Sequence, residues 1–415
     1  MKIGYACIPL TTNSRTNRRL MLKNFSEKLF LEVLEQNLID LKEILENNEK
    51  FNIKLFRISS DIVPLGSHSI NDIQWYTVFQ NELNEIGEYI KECGMRVSMH
   101  PGQYTVLNAE KEDIVAKAIN DLEYHARFLD CLGVDGSNKI ILHIGGAYGD
   151  KGAAINRFIE NFKRLPVSVR NRLVIENDDR IFNIEDLIFV SSKINIPIVF
   201  DNLHHECNHG EGYTPVKEIM NKVAKTWREK DGNIKVHYSQ QNLQKHIGAH
   251  SSFIVAKKFL EYYEEVNEFN IDIMLEVKDK DISAIKCNLI VDNMKNKLKH
   301  VSIETQWAKY KYLLMERNNK YYKECSRLVQ ENCSIQEFYE YIDEIMNLDV
   351  EDGSFINTAE QVWGYVKNDA SEKEQMHFKK ILSDMQNKEK VKIYLKKLCE
   401  KYNAEYMINS YYFYY

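Results

Sequence analysis

His100, His143, Glu176, Asp201, His204, His205, His237, His246, His250 and Glu276, with His68 nearby in a loop, are residues of this chain whose types suit a divalent cation. Imidazole nitrogens mixed with carboxylate oxygens favour Mn2+, Zn2+ or Fe2+ over Ca2+, which prefers oxygen alone. Singly, each has an ordinary explanation. A histidine at a strand end is more often a hydrogen-bonded structural group than a ligand, and Glu176 alone could be a buried ion-pair partner. The set is different, because burying so many ionisable groups together is costly unless cations neutralise them. It exceeds the need of one ion. Two or three ions are expected, with Glu176 and Glu276 as bridges. Ions about 4 Å apart suit phosphoester cleavage, one activating water and another holding the leaving oxygen.

Three further features belong to the same end of the chain's strands. Lys235 lies two residues before His237, so on one strand both face the same side. An ammonium among cations is unfavourable. Either its pKa is depressed, or the lysine is modified, or it pairs with Asp201 or Glu276. After His100 comes Pro101-Gly102, a tight turn that presents Gln103 and Tyr104. Those two side chains could enter a base stack, or Tyr104 could simply pack on the rim. Arg15, Arg18, Arg19, Lys23, Lys151 and Arg180 occupy loop positions from which phosphates could be reached. Arg57 lies within a strand and His68 in the loop after it.

The elements that must position these residues follow from periodicity. Short β-branched runs at 3–8, 54–59, 96–100, 139–144, 173–177, 196–202, 234–238 and 271–277 read as eight strands. Amphipathic stretches follow them, for example 25–45, 75–93, 114–132, 155–165 and 253–269. Eight strands alternating with helices predict a (β/α)8 TIM barrel, in which chemistry collects where the strands end. A doubly wound open sheet fits less well, since no G-x-G-x-x-G turn follows the first strand. The polar residues above sit at those strand ends while the strand interiors stay apolar. The barrel is expected over 1–296.

The texture changes near His300. All 6 prolines lie at or before Pro215, and the remainder is rich in Lys, Glu, Tyr and Leu. Segments 307–329, 335–346, 372–385 and 391–402 read as helices, with Asp352 and Gly353 marking a turn. A separate all-α module is expected over 300–415. The aromatic end, Tyr411 to Tyr415, is expected to dock on a core.

Of 415 residues, 44% are hydrophobic and 28% charged, the profile of a globular protein. No apolar run is long enough for a bilayer, and the strand-like start leaves no room for a signal peptide. The 8 cysteines form no C-x-x-C pair. Free thiols in a reducing cytoplasm are the simpler expectation. A net charge of −6 argues against a basic DNA-coating protein, though not against an enzyme with local basic patches.

Five stretches carry a resemblance to a known family. They are His100-Pro101-Gly102-Gln103-Tyr104, His143-Ile144-Gly145-Gly146-Ala147-Tyr148-Gly149, Glu176-Asn177-Asp178, Asp201-Asn202-Leu203-His204-His205 and Lys235-Val236-His237. Together they resemble the UV damage endonuclease family over residues 2–278, a family related to endonuclease IV and to sugar isomerases of the same barrel. The resemblance implies an enzyme that nicks double-stranded DNA immediately 5′ to a UV photoproduct or abasic site, with several divalent ions and Mn2+ as the effective one. It gives ligand roles to His100, His143, Glu176, Asp201, His204, His237, His250 and Glu276. It makes Gln103 and Tyr104 the pair that probes the distorted duplex. Tyr5 and His68 match polar residues near the scissile site, and Lys235 matches a carboxylated lysine. Where the family commonly has an asparagine two residues after Cys7, this chain has Pro9. His205 and His246 have no assigned counterpart. Residues 307–315 resemble a helical module of unknown function attached to other bacterial proteins, which leaves room for an unknown partner of that module. The barrel itself is expected to act as a monomer.

Two other readings share the same residues. A sugar isomerase or epimerase also arranges His, Glu and Asp about metal on this barrel, but needs one or two ions and no intercalating loop. An inactive barrel serving as a binding module would tolerate loss of Glu176 or Glu276, and neither is lost.

Overall fold

Runs such as Ile3–Ala6 and Ile271–Leu275 become strands because β-branched and aliphatic side chains suit a pleated surface buried on both faces. The computed structural model describes residues 1–210, 212, 214–295, 303–384 and 387–415. Its eight strands are β1 (Ile3–Ala6), β2 (Leu55–Ile58), β3 (Arg96–Met99), β4 (Lys139–His143), β5 (Leu173–Glu176), β6 (Ile198–Asp201), β7 (Ile234–Tyr238) and β8 (Ile271–Leu275). They pair in parallel and in chain order. β8 closes the barrel on β1 through Ile3↔Ile273, Gly4↔Met274 and Tyr5↔Leu275.

The strands alternate with α1 (Glu27–Lys50), α2 (Trp75–Val78), α3 (Gln80–Glu92), α4 (Glu112–Cys131), α5 (Lys151–Arg164), α6 (Val167–Arg172), α7 (Ile184–Ile194), α8 (Asn202–Cys207), α9 (Val216–Ala224), α10 (Ala256–Val266) and α11 (Asp281–Met294). α1 shows why they form. Ser26 caps its first turn by accepting from the Leu29 amide, and Phe30, Leu34, Leu38, Leu41 and Leu45 recur at helical spacing on the buried face. Full burial of each such side chain stabilises the fold by about 1.5–3 kcal/mol.

Alternation along the strands sorts the barrel interior into levels. At the floor, Arg96 donates to Asp272 at 2.9 Å and to the carbonyls of Ser137, Asp231 and Asn233. Lys139 donates to Asp231 at 2.5 Å. These charges are buried and paired, so removing one partner costs about 3–5 kcal/mol. Above them lie Ser98, Leu55, Met274 and Lys235. The next inward positions, at the strand ends, carry the histidines and carboxylates.

The chain divides into two compact units, one of Met1–Ile254 with Lys258–Asn288, the other of Val255–Lys257 with Leu289–Tyr415. The second unit is helical, with α12 (Ile303–Arg317), α13 (Asn319–Gln330), α14 (Ile335–Met346), α15 (Asp352–Trp363), α16 (Glu372–Ser383), α17 (Lys388–Lys401) and α18 (Glu405–Ile408). Its core gathers Tyr312, Phe355, Val362, Leu395 and Tyr412. The aromatic end docks as expected, with Tyr411 and Tyr412 buried. Two expectations are corrected. The stretch 307–329 is two helices, because Asn318 is extended and its side chain caps α13. Asp352 and Gly353 open helix α15 rather than mark a turn; a glycine in a first turn gives up no intrahelical N–H bond. His300 and Met385 lie outside the described residues. All eight cysteines stand outside disulfides, three of them buried. Among the described residues no helix is long and apolar enough to cross a membrane.

Candidate metal centre

The barrel brings the strand-end residues to one place. His143 and Glu176 end β4 and β5 and are register partners, as are Asp201 and His237 on β6 and β7. His100 and Glu276 follow β3 and β8 by one residue, and His204 sits one turn into α8. The turn after His143 requires glycine. Gly145 has φ 116°, and a Cβ there would fall 2.3 Å from Asn108 Oδ1.

Glu176 is the hub. Its Oε2 lies 3.0 Å from His100 Nε2 and 3.5 Å from His143 Nε2. Its Oε1 lies 2.8 Å from His237 Nδ1 and 3.6 Å from His204 Nδ1. His237 Nδ1 is also 3.3 Å from Glu276, and His250 Nε2 reaches Glu276 at 3.7 Å. Among the described residues, three groups have ligand atoms mutually within 4.8 Å: His100, His143 and Glu176; Glu176, Asp201 and His204; Glu176, His237 and Glu276. All three contain Glu176.

Charge is strongly coupled here. Burial pushes Glu176 up, but His237, His143 and His100 outweigh it and hold the carboxyl well below its usual range. Burial likewise opposes Glu276, which Arg57 and His237 pull down. Asp201 is pushed up to about 6 by burial, against the pull of His204. Burial disfavours charged His204, yet Asp201, Glu176 and Glu276 raise it to about 9. His100 and His250 are lowered by burial.

The donor set fits divalent cations. Asp201 Oδ2 and His237 Nε2 are buried with no hydrogen-bond partner, although buried polar atoms are nearly always satisfied. Mixed imidazole and carboxylate donors match Mn2+, Zn2+ or Fe2+.

Neighbours orient these candidate ligands. Asn177 donates to the Asp201 carbonyl and accepts from the Asp201 amide, while its own carbonyl meets His204 Nδ1 at 2.9 Å. Asp201 Oδ1 accepts from the His204 amide at 2.8 Å. Arg57, inward on β2, donates to Glu276 at 2.5 Å. Sequence reasoning placed Arg57 in a strand but missed this task. The signal was available: a lone arginine in a short barrel strand needs an inward acid.

Other expected residues stand elsewhere. Lys235 is buried and donates to Ser98 Oγ at 2.8 Å, so of the alternatives offered for it the pairing with Asp201 or Glu276 is corrected. Burial, reinforced by Arg96, lowers its pKa well below that of an ordinary lysine. Tyr5 also needs correction. Ala6, not Tyr5, faces inward beside Leu55 and Met274, and the Tyr5 hydroxyl turns outward to Asn48 of α1 at 2.8 Å. His68 is exposed, its ring accepting from the Ile70 amide, and does not join the cluster. Gln103 and Tyr104 are exposed at the mouth, Tyr104 by 83%. His205 is buried against the Thr214 carbonyl, and His246 is exposed. Of the basic residues expected in loops, Arg18 pairs with Asp40 and Arg180 with Asp179, while Lys151 is corrected to the first residue of α5, paired with Asp186, and Lys23 to a short 3-10 helix.

Comparison with known proteins gives a consistent result. The family model described as UV-endonuclease UvdE matches residues 1–308, and one described as a protein of unknown function, DUF1722, matches 311–415. A UV DNA damage endonuclease of Clostridium perfringens is 50% identical over 402 residues, covering 97% of this chain and 96% of that protein. One from Bacillus cereus strain G9842 is 36% identical over 297 residues, covering 69% of this chain and 93% of its own. Among solved structures, SacUVDE is similar with a TM-score of 0.68 and 39% identity, over 72% of this chain and 100% of that one.

Proposed function

The chain belongs to the UV-endonuclease UvdE family, and from that premise we propose that it is a UV DNA damage endonuclease, a hydrolase of DNA phosphodiester bonds. It nicks the strand immediately 5′ to UV photoproducts and to other lesions such as abasic sites. It uses two or three divalent cations, with Mn2+ the preferred one. The barrel, 1–296, carries the chemistry on damaged double-stranded DNA as a cytoplasmic monomer. Residues 300–415 form a module that meets an unknown partner.

One observation carries the reading: a single buried carboxylate, Glu176, belongs to all three ligand groups. His100, His143, Glu176, Asp201, His204, His237 and Glu276 would hold the cations, and His250 would complete the set from its loop. Bound there, divalent cations supply the Lewis acidity that activates water and stabilises charge on the phosphoryl and leaving oxygens. The chain's own residues prepare that chemistry. Asn177 fixes Asp201 and His204 relative to each other. Arg57 keeps Glu276 ionised and aimed. Lys235, whose charged form burial disfavours, carries an amine able to add carbon dioxide; the new N–C bond gives a carbamate and releases a proton, turning a would-be cation into an anion. Gln103 and Tyr104 fill the stack where damaged nucleotides leave it, a departure that lesions make cheap by weakening stacking.

The test is an end-labelled duplex with one pyrimidine dimer, incubated with protein and Mn2+, with and without EDTA. A metal-dependent cut just 5′ to the dimer, absent on undamaged duplex, is the expected outcome. No cut with any divalent metal, on folded protein, overturns the reading.

A further inference from the structure

Among the described residues, three large hydrophobic side chains are more than 70% exposed: Leu243 at 87%, Tyr104 at 83% and Ile247 at 77%. Scattered apolar residues are normal on a surface, but these three share one end of one barrel. Tyr104 follows β3, and Leu243 and Ile247 follow β7. In a closed eight-stranded barrel, strands four apart stand across the mouth from each other. Their end residues, His100 and His237, face each other with ring centroids 6.2 Å apart. The ligand cluster therefore lies between the two loops.

The loop after β7 is a braced hairpin. Gln241 and His250 form an antiparallel bridge, and the Asn242 amide donates to the Ala249 carbonyl at 2.7 Å. Gln241 ties the tip from inside, donating to the His246 carbonyl at 3.0 Å and accepting from the Gly248 amide at 2.8 Å. Gly248 has φ 83°, and a Cβ there would meet Asp179 Oδ2 at 3.0 Å, so the hairpin leans on the loop that carries Arg180. A stiff scaffold thus holds two branched aliphatic side chains in solvent, with exposed Lys245 and His246 between them. The same hairpin's base carries His250, 3.7 Å from Glu276. Apolar wedges of this kind unstack base steps when pushed into a groove, and an adjacent lysine suits a phosphate.

We propose that the hairpin tip, Leu243 with Ile247, is a second DNA wedge, entering the duplex from across the mouth from Tyr104 while Lys245 sits on a phosphate. The inference rests on the endonuclease reading and deepens it. The duplex is gripped from two sides, and the strand to be cut is held over Glu176 between the wedges.

The test uses the full chain with Mn2+ and a duplex holding one pyrimidine dimer, with 2-aminopurine opposite the lesion. Wild-type protein is expected to raise the 2-aminopurine fluorescence on mixing, then nick. The double variant Leu243→Ser with Ile247→Ser is expected to lose the fluorescence rise and to show KM raised roughly tenfold or more, with kcat changed less. Leu243→Met with Ile247→Leu should restore both. Lys245→Ala should weaken binding to damaged and intact duplex alike and reduce the salt slope by about one. A serine double variant that unstacks and nicks like wild type overturns the wedge alone. Wild-type protein that never nicks overturns the endonuclease reading and the wedge together.

Discussion

Replacing Glu176 with glutamine keeps the shape and removes the charge that three ligand groups share. Nicking is expected to fall by at least about 10²–10³-fold, as when one preorganised electrostatic group is lost. Near-normal cutting in the same labelled-duplex assay would sink the ligand assignment. Protons should substitute for cations in the unloaded protein. Asp201 at about 6 and His204 at about 9 both bind protons more tightly folded than unfolded. Their stabilising contributions are complete below the unfolded values and vanish as pH rises through about 6 and about 9 respectively. Chelated protein should therefore melt lower at pH 9 than at pH 6, chiefly through His204, and added Mn2+ should shrink that drop; calorimetry showing a flat chelated profile would refute it. The candidate ligand residues were legible from sequence because most stand at a strand end, with His204 and His250 in the segments just beyond. Tyr5 was not, since family likeness said nothing of which way it points. The period-two rule that puts Lys235 and His237 on one face also puts Ala6 in and Tyr5 out.

Strands and helices were legible where their texture was strong. β7 has the bounds that its alternation predicts, and the other strands are shorter only at their ends. Helix breaks were harder. Asn318 interrupts an apolar pattern that continues on both sides, and only its capping side chain reveals the stop. α15 was hidden because Gly353 looks like a turn, while Phe355, Ala359 and Val362 behind it keep helical spacing. Caps can be tested directly. Asn183 and Asp186 form a reciprocal capping box at the start of α7. Asn183→Ala is expected to cost about 1 kcal/mol, lowering Tm by about 2–4 °C for a domain of this size. An unchanged melting curve would mean the box is redundant.

The whole molecule joins a barrel with a charged floor to a helical unit with its own aromatic core. The barrel was legible because eight textures repeat. The floor was not, because Arg96, Lys139, Asp231 and Asp272 are far apart in sequence and read singly as surface charges. That floor has a kinetic consequence. Arg96, Lys139, Asp231 and Asp272 plug the lower end with paired, buried charge, so among the described residues the open way to Glu176 is the mouth, which a duplex would cover. On the proposed function, cations would board before DNA docks and would leave only after it departs. EDTA added to the preformed complex with damaged duplex is expected to quench slowly, at the rate of DNA release, whereas EDTA added to free protein should quench at once. Equal quenching rates would mean that a second exit exists.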